Sequence, residues 1–247
     1  MRAPAPAGAP VRLRRSPAVP RALAGFVLIL MLAAAPAAAQ VSAGITLQSD
    51  YRYRGRSHSD ERPTVSVDLA YDHKAGLYAG ETAILAATRR DGLQPIRYIT
   101  YAGYAIRPGH GPAYDLGVSH HHVADFSAGK RVVNYTEVYG AILTDRVSLR
   151  LNYAQNYYNS GVDTLYADLS GALRPAKDVR IFAHAGFLEP VGGRGGRSRQ
   201  DYSAGVARQL GRSEFSATWT HGDPRAGPPR PRLGHRDALV IAATYAF

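Results

Sequence analysis

From Val41 onward the sequence alternates apolar with polar residues, and it does so almost to its end. Val41, Ala43, Ile45, Leu47, Tyr51 and Tyr53 share one parity; Ser42, Thr46, Gln48, Asp50, Arg52 and Arg54 share the other. The division returns with Val65, Val67, Leu69 and Tyr71 against Thr64, Ser66, Asp68 and Asp72, and again with Val147, Leu149, Leu151, Tyr153 and Tyr157 against Ser148, Arg150, Asn152 and Asn156. Successive side chains of a strand point to opposite faces, so a period of two marks strands. About twelve such segments of about nine to thirteen residues follow one another, the length a tilted strand needs to cross a bilayer.

The first forty residues differ. Arg2, Arg12, Arg14, Arg15 and Arg21 precede the apolar run ALAGFVLILMLAAA, and Ala37, Ala38 and Ala39 then offer a small-residue cleavage site before Gln40. The run is too short for a spanning helix. Residues 1–39 are therefore expected to be a secretory signal peptide and 40–247 the mature domain, about 208 residues (247 minus 39) with a formal charge near +6 (+11 minus the five leader arginines). Arg14-Arg15 is followed by Ser and Pro where a twin-arginine signal turns apolar, so ordinary export is expected. There is no cysteine, which excludes disulfides and thiolate metal sites. No run of eighteen apolar residues follows residue 40, which excludes a helical membrane protein.

The connections alternate in length. Short links (DHKAG, RPGHGP, TDR, RPAKD, GR) take turns with longer or more polar ones (RGRSHSDER, TRRDGLQP, ADFSAGKR, EPVGGRGGRSR, GDPRAGPPRPRLGHR), and NSGVD is short where a long link is expected. Short turns at one end and long loops at the other is the layout of outer-membrane barrels. The chain closes on DALVIAATYAF, with Leu239, Ile241, Ala243, Tyr245 and Phe247 on one parity. Such an ending resembles the terminal signature that the outer-membrane barrel assembly machinery reads. In hydrocarbon every backbone group must be paired within the protein, so strands cross only in a closed barrel, apolar face to lipid and polar face inward. The expected fold is all-β, a transmembrane antiparallel up-and-down barrel of about twelve strands.

On that reading the lumen-lining candidates are Asp50, Arg52, Asp68, Glu81, Arg97, Asp115, Glu137, Arg150, Asp168, Arg180 and Glu214. Aromatic girdle candidates are Tyr51, Tyr53, Tyr157, Trp219, Tyr245 and Phe247, rings whose amphipathic character suits the headgroup level. The long loops are basic, with residues such as Arg89, Arg90, Lys130, Arg131, Arg194 and Arg197, and suit an anionic lipopolysaccharide surface.

The stretches VSAGITLQSDYRYRGRSHSDERPTVSVDLAYDHKAGLYAG, YAGYAI, YTEVYGAI and the terminal ATYAF resemble, in order, the TorF-type porin family of bacterial outer-membrane proteins. SHHH and the final Pro- and Arg-rich loop depart from that pattern. The resemblance implies a porin-like barrel and carries over no substrate and no catalytic residue.

Other chemistry fits less well. In a strand His121 points inward with Asp115 and Ser119 while His120 and His122 point outward, so the three histidines cannot share a metal and no metal site is expected. VGGRGGRSR lacks the lysine and the strand-to-helix context of a phosphate loop. Export and the lack of a recognition helix argue against nucleic-acid binding. Ser119 with His121, or Ser57 with Ser59, have the spacing of a same-face catalytic pair, but a membrane lipase needs its nucleophile and base on the lipid side. The expectation is a porin-like channel for passive diffusion of small hydrophilic solutes, not an enzyme and without a cofactor. Alternatives are a structural or adhesive barrel with a plugged interior and, behind it, a lipid-modifying enzyme.

Overall fold

The computed structural model describes residues 39–88, 92–124, 132–222 and 235–247. The expected signal peptide lies outside them, apart from Ala39, which begins the first strand. The strands are β1 (Ala39–Gln48), β2 (Arg52–Tyr53), β3 (Arg56–Ser57), β4 (Thr64–His73), β5 (Leu77–Thr88), β6 (Gly92–Ile106), β7 (Ala113–Ala124), β8 (Val132–Leu143), β9 (Val147–Ala154), β10 (Val162–Ala176), β11 (Val179–Gly193), β12 (Arg199–Leu210), β13 (Ser213–Gly222) and β14 (Asp237–Ala246). All but β2 and β3 form one closed barrel in which each strand pairs with its neighbours in the chain, and β1 pairs with both β4 and β14 to complete the ring. The twelve-strand antiparallel barrel expected from the sequence is the fold observed.

Parity sorts the side chains. Val41, Leu116, Val138, Leu151, Val206 and Ile241 are exposed on the outer wall, whereas their sequence neighbours face inward. A sheet closed on itself leaves no edge, and the exposed apolar wall needs lipid rather than water to cover it. No helix among the described residues is long and apolar enough to cross a membrane.

The inner wall carries a repeated joint. Inward tyrosines lean across to a glycine on an adjacent strand: Tyr101 over Gly80, Tyr78 over Gly103, Tyr139 over Gly117 and Tyr166 over Gly186. A methyl group at any of these glycines would collide with the ring, so the missing side chain is what lets the ring lie along the wall instead of standing across the lumen.

Two bulges shape the wall near the long-loop end. The first sets Ile84 and Leu85 of β5 opposite Arg97 and Pro95 of β6 and leaves Ile96 over. A bulge re-aims side chains, and here Ile96 and Arg97 are both fully buried although adjacent. Pro95, which has no N–H for the ladder, sits where the ladder is interrupted. The second bulge falls between Asp163 and Thr164, opposite Pro190 and Gly192.

The alternation through SDYRYRG does not continue β1, which stops at Gln48. Residues 49–63 turn into the barrel as a separate segment whose tip is the β2–β3 hairpin. Arg54 and Gly55 occupy its two central turn positions with φ of 51° and 70°, the left-handed pair that a two-residue hairpin turn requires. The segment touches opposite walls. Tyr51 packs on Ile84, Ala86 and Ile96, Tyr53 lies against His121, Arg54 meets Glu137 and Tyr166, and Gly55 abuts Asp201 and Gly222. Only a segment inside the lumen can reach β5, β7, β8, β10, β12 and β13 together.

Candidate functional site

The inserted segment is held at its base by Asp50. Its carboxylate accepts hydrogen bonds from Arg52 Nε at 2.7 Å, Ser57 Oγ at 2.6 Å and Ser59 Oγ at 2.9 Å. Arg52 also donates to the carbonyls of Gly55 and His235. Both charges are thus consumed in the segment's own knot rather than turned toward an open passage.

At the tip, the Arg54 Nη2 donates to Glu137 Oε2 at 2.8 Å, and the guanidinium lies 4.0 Å from the centre of the Tyr166 ring. Glu137 is 2% exposed and the side chain of Arg54 8%, so the pair is desolvated. Arg97 sits behind it, stacked 3.7 Å from the centre of Tyr53 and donating to Tyr135 Oη at 2.7 Å. Loop residues Tyr157 and Tyr158 fold inward from the opposite side and pack on Tyr135. Asn156, Tyr158 and Asn159 take left-handed φ values to make that turn. This layer of tyrosines around two arginines fills the long-loop end of the lumen.

His58 lies within the segment, against the rings of Tyr51, Tyr53 and Tyr158. Desolvation, and after it the guanidinium groups of Arg97, Arg56 and Arg199, hold its imidazole well below its usual pKa.

Beneath this layer lies a cavity of about 610 Å³, roofed by Tyr53 and Arg54 and reaching Asp72 and Tyr78 toward the short-turn end. Its walls carry charged side chains, most of them paired. Arg150 donates to Asp115 at 3.1 Å and covers the Tyr139 ring at 4.4 Å; Tyr78 Oη donates to Asp115 at 2.5 Å. Asp168 accepts from Ser170 at 2.7 Å and pairs with His184 Nδ1 at 3.2 Å, while His184 Nε2 reaches Asp201 at 2.9 Å. Elsewhere on the inner wall, outside this lining, Arg180 donates to Glu214 at 2.6 Å and Asp68 accepts from Thr82 at 2.6 Å. The carboxylate-histidine-carboxylate bridge through His184 joins three strands, a juxtaposition that parity within one strand could not reveal.

Several expectations need correction. Glu81, expected in the lumen, faces outward, because it stands opposite Leu69 of β4 and Thr100 of β6 while Gly80 and Thr82 take the inward places. It belongs to an outer row with Thr100, His120 and Thr136, in which His120 Nδ1 and Thr136 Oγ1 are 3.0 Å apart. Tyr51, Tyr53 and Tyr157, expected in a lipid-facing girdle, lie inside the barrel because their segments leave the wall before reaching them. Trp219, Tyr245 and Phe247 are exposed on the outer side, with Tyr245 and Phe247 edge to face at 5.1 Å. Further exposed rings stand near both strand ends: Tyr153 and Tyr202 toward the long loops, Tyr104 and Tyr114 toward the short turns. The parity of their segments marks them in the sequence.

Ser119 Oγ and His121 Nε2 are 2.9 Å apart, as their spacing allows, but His121 Nδ1 faces Arg97 Nη2 at 2.8 Å. A guanidinium only donates, so Nδ1 must accept and the proton of the neutral ring sits on Nε2. A protonated Nε2 cannot take a proton from Ser119, and the pair is no nucleophile with its base. Among the described residues no group of three or more His, Cys, Asp or Glu side chains is placed to hold a metal ion.

Comparison with known proteins agrees with this architecture. Among solved structures, the KdgM porin superposes with a TM-score of 0.52 at 10% identity, over 83% of this chain and 99% of that one. A membrane protein solved in work on in-meso crystallization superposes with a TM-score of 0.50 at 14% identity, over 84% of this chain and 83% of the other. At such identities the likeness is one of fold, that of bacterial outer-membrane barrels. No curated protein matches the sequence. The TorF-type name expected from motifs along the mature chain is not confirmed, and a family profile matches residues 32–229: the chain belongs to the Gcw_chp family, described as bacterial proteins of unknown function.

Proposed function

We propose that the protein is a porin-like channel of the outer membrane through which small hydrophilic solutes diffuse, narrowed at its long-loop end by the inserted 49–63 segment. The observation that carries this reading is the contrast between the two sides of the wall. The outer face is apolar, while the lower lumen keeps a cavity of about 610 Å³ lined with paired charges and tyrosines. A purely structural barrel gains nothing from such a cavity, since filling it with side chains would add packing. Asp68, Asp115, Arg150, Asp168, Arg180 and Glu214 line the passage, and Glu137 with Arg54 and Arg97 forms its narrowest layer. Trp219, Tyr245 and Phe247 anchor the barrel at the headgroups. The last strand, ending in Phe247, engages the barrel assembly machinery, and the basic loops meet lipopolysaccharide. Residues 1–39 are removed on export.

The second reading, a plugged structural barrel, is favoured by one observation: in the layer around the segment Arg97 is fully buried and Glu137 nearly so. Swelling of liposomes separates the two. Vesicles holding the folded barrel should swell in isotonic solutions of small sugars or amino acids and lose that permeability steeply as solute size grows. Folded barrel without any swelling would overturn the channel reading in favour of the plug.

A further inference from the structure

Two tyrosines of the inner wall, and one of the inserted segment, have an arginine stacked on the ring and a carboxylate close by. Arg150 covers Tyr139 and binds Asp115; Arg54 covers Tyr166 and binds Glu137; Arg97 covers Tyr53, beside the same Arg54–Glu137 pair. A cation over an aromatic face is attracted by the ring quadrupole, most strongly where water is excluded, and the carboxylate balances its charge. The wall of β4, β5 and β6 repeats the ring and the carboxylate. Tyr78 and Tyr101 stand 6.2 Å apart with their planes inclined by 52°. Asp72 stands opposite Tyr78 in the β4–β5 register, but the Tyr78 ring leans the other way, over Gly103 of β6. Tyr101 leans over Gly80 toward β4, between the rows of Asp68 and Asp72.

Here no basic side chain completes the set. Among the described residues neither Asp68 nor Asp72 has an arginine, lysine or histidine within ion-pair distance, and no guanidinium covers Tyr78 or Tyr101. The other acids of the cavity are matched: Asp115 by Arg150, Glu137 by Arg54 and Asp168 by His184. That leaves an unmatched carboxylate and an uncovered ring, Asp72 and Tyr101, on one wall of the cavity.

We infer that this cavity binds a small organic ammonium compound, its cationic group against Tyr101 and Asp72. Such a ligand would supply the missing cation of the wall. A sugar would leave Asp72 without a counter-charge, and an anion would be repelled by it. The inference gives the channel a substrate class and rests on that reading only for access from solution.

Choline and its uncharged isostere 3,3-dimethylbutan-1-ol differ only in the charge of the quaternary centre, so they isolate this interaction. Saturation-transfer NMR on the full folded chain in detergent should give choline a Kd at least about ten-fold lower than the isostere, the scale of a partly desolvated cation–π contact. Asp72→Asn, at an exposed position where folding is not at stake, should weaken choline about five-fold or more and leave the isostere unchanged. Tyr101→Leu should weaken choline similarly. Equal binding of the two compounds, or wild-type choline affinity in Asp72→Asn, would overturn the site. Selective choline binding by a barrel that leaves liposomes impermeable would contradict the channel and keep the site; a permeable barrel without choline preference would do the reverse.

Discussion

The two halves of the lumen are built from the same materials to different ends. Toward the long loops, tyrosines and arginines interlock with the inserted segment until Arg97 and Glu137 have almost no exposed surface. Toward the short turns, tyrosines of the same kind lie against glycines, and a cavity remains. What differs is what enters from outside the wall. Rings lie along glycines in both halves, Tyr139 on Gly117 and Tyr166 on Gly186, each with a guanidinium over it, but only toward the long loops do Tyr53 and Arg54 of the hairpin and the Tyr157–Tyr158 turn add a second layer. The free space in the lumen is therefore set by that hairpin and turn as well as by the number of strands.

The sharpest way to break the filled half is to remove one charge from its centre. Arg54→Ala leaves the Glu137 carboxylate buried beside His121 and Tyr53 with no arginine, and breaking a buried pair from one side costs about 3–5 kcal/mol. The urea midpoint in phospholipid vesicles should fall accordingly, and adding Glu137→Gln should recover much of the loss. If the single change leaves the midpoint in place, the pair is not the latch of the segment.

The open half should respond to volume rather than charge. Gly117→Ala pushes a methyl group into the Tyr139 ring and should cost about 1–3 kcal/mol, the range for overpacking. In a Tyr139→Leu background the same change should cost less, since residues in contact do not act additively, the remainder coming from the Ala102 carbonyl 2.7 Å from the new methyl. An equal cost in both backgrounds would mean the backbone contact, not the ring, is what the glycine accommodates.

The smallest effect is a pH dependence of the segment. His58 has a folded pKa well below the unfolded value near 6.5. Above about pH 6.5 the ring is neutral in both states and contributes no penalty. As pH falls through that value a released segment takes up a proton that the seated one refuses, so seating weakens progressively in acid. Conductance should rise between pH 7 and pH 5, and His58→Phe should flatten that part of the profile. A rise of the same size in the variant would assign it to another group.

Much of the barrel was legible because lipid enforces parity: one misplaced residue turns a whole strand inside out, so Val41 to Leu47 and Val147 to Tyr153 could be read directly. The inserted segment was not. Asp50, Tyr51, Arg52 and Tyr53 continue the alternation of β1 because they too are extended, and the break is marked only by Arg54-Gly55, a weak turn signal without Asn or Asp. Tyr157 misled in the same way, with its inward turn written only in the Asn156 and Asn159 around it. Glu81 was misread because its strand has small or apolar residues on both faces, from Ala79 and Ala83 outside to Gly80 and Ile84 inside. The cavity itself depends on pairings between β4, β5 and β6 and on rings crossing to neighbouring strands, which only the register supplies.

The central claim, that a conducting barrel is narrowed by its own hairpin, is tested most directly by single-channel recording in planar bilayers. The wild type is compared with a chain in which Tyr53, Arg54 and Arg56 are replaced by glycine. Both should insert as folded barrels, recognised by a gel mobility that changes on boiling, and both should give discrete current steps, those of the variant at least about two-fold larger because the roof of the cavity has been removed. Folded barrels giving no current in either form, or steps of one size in both, would contradict the account.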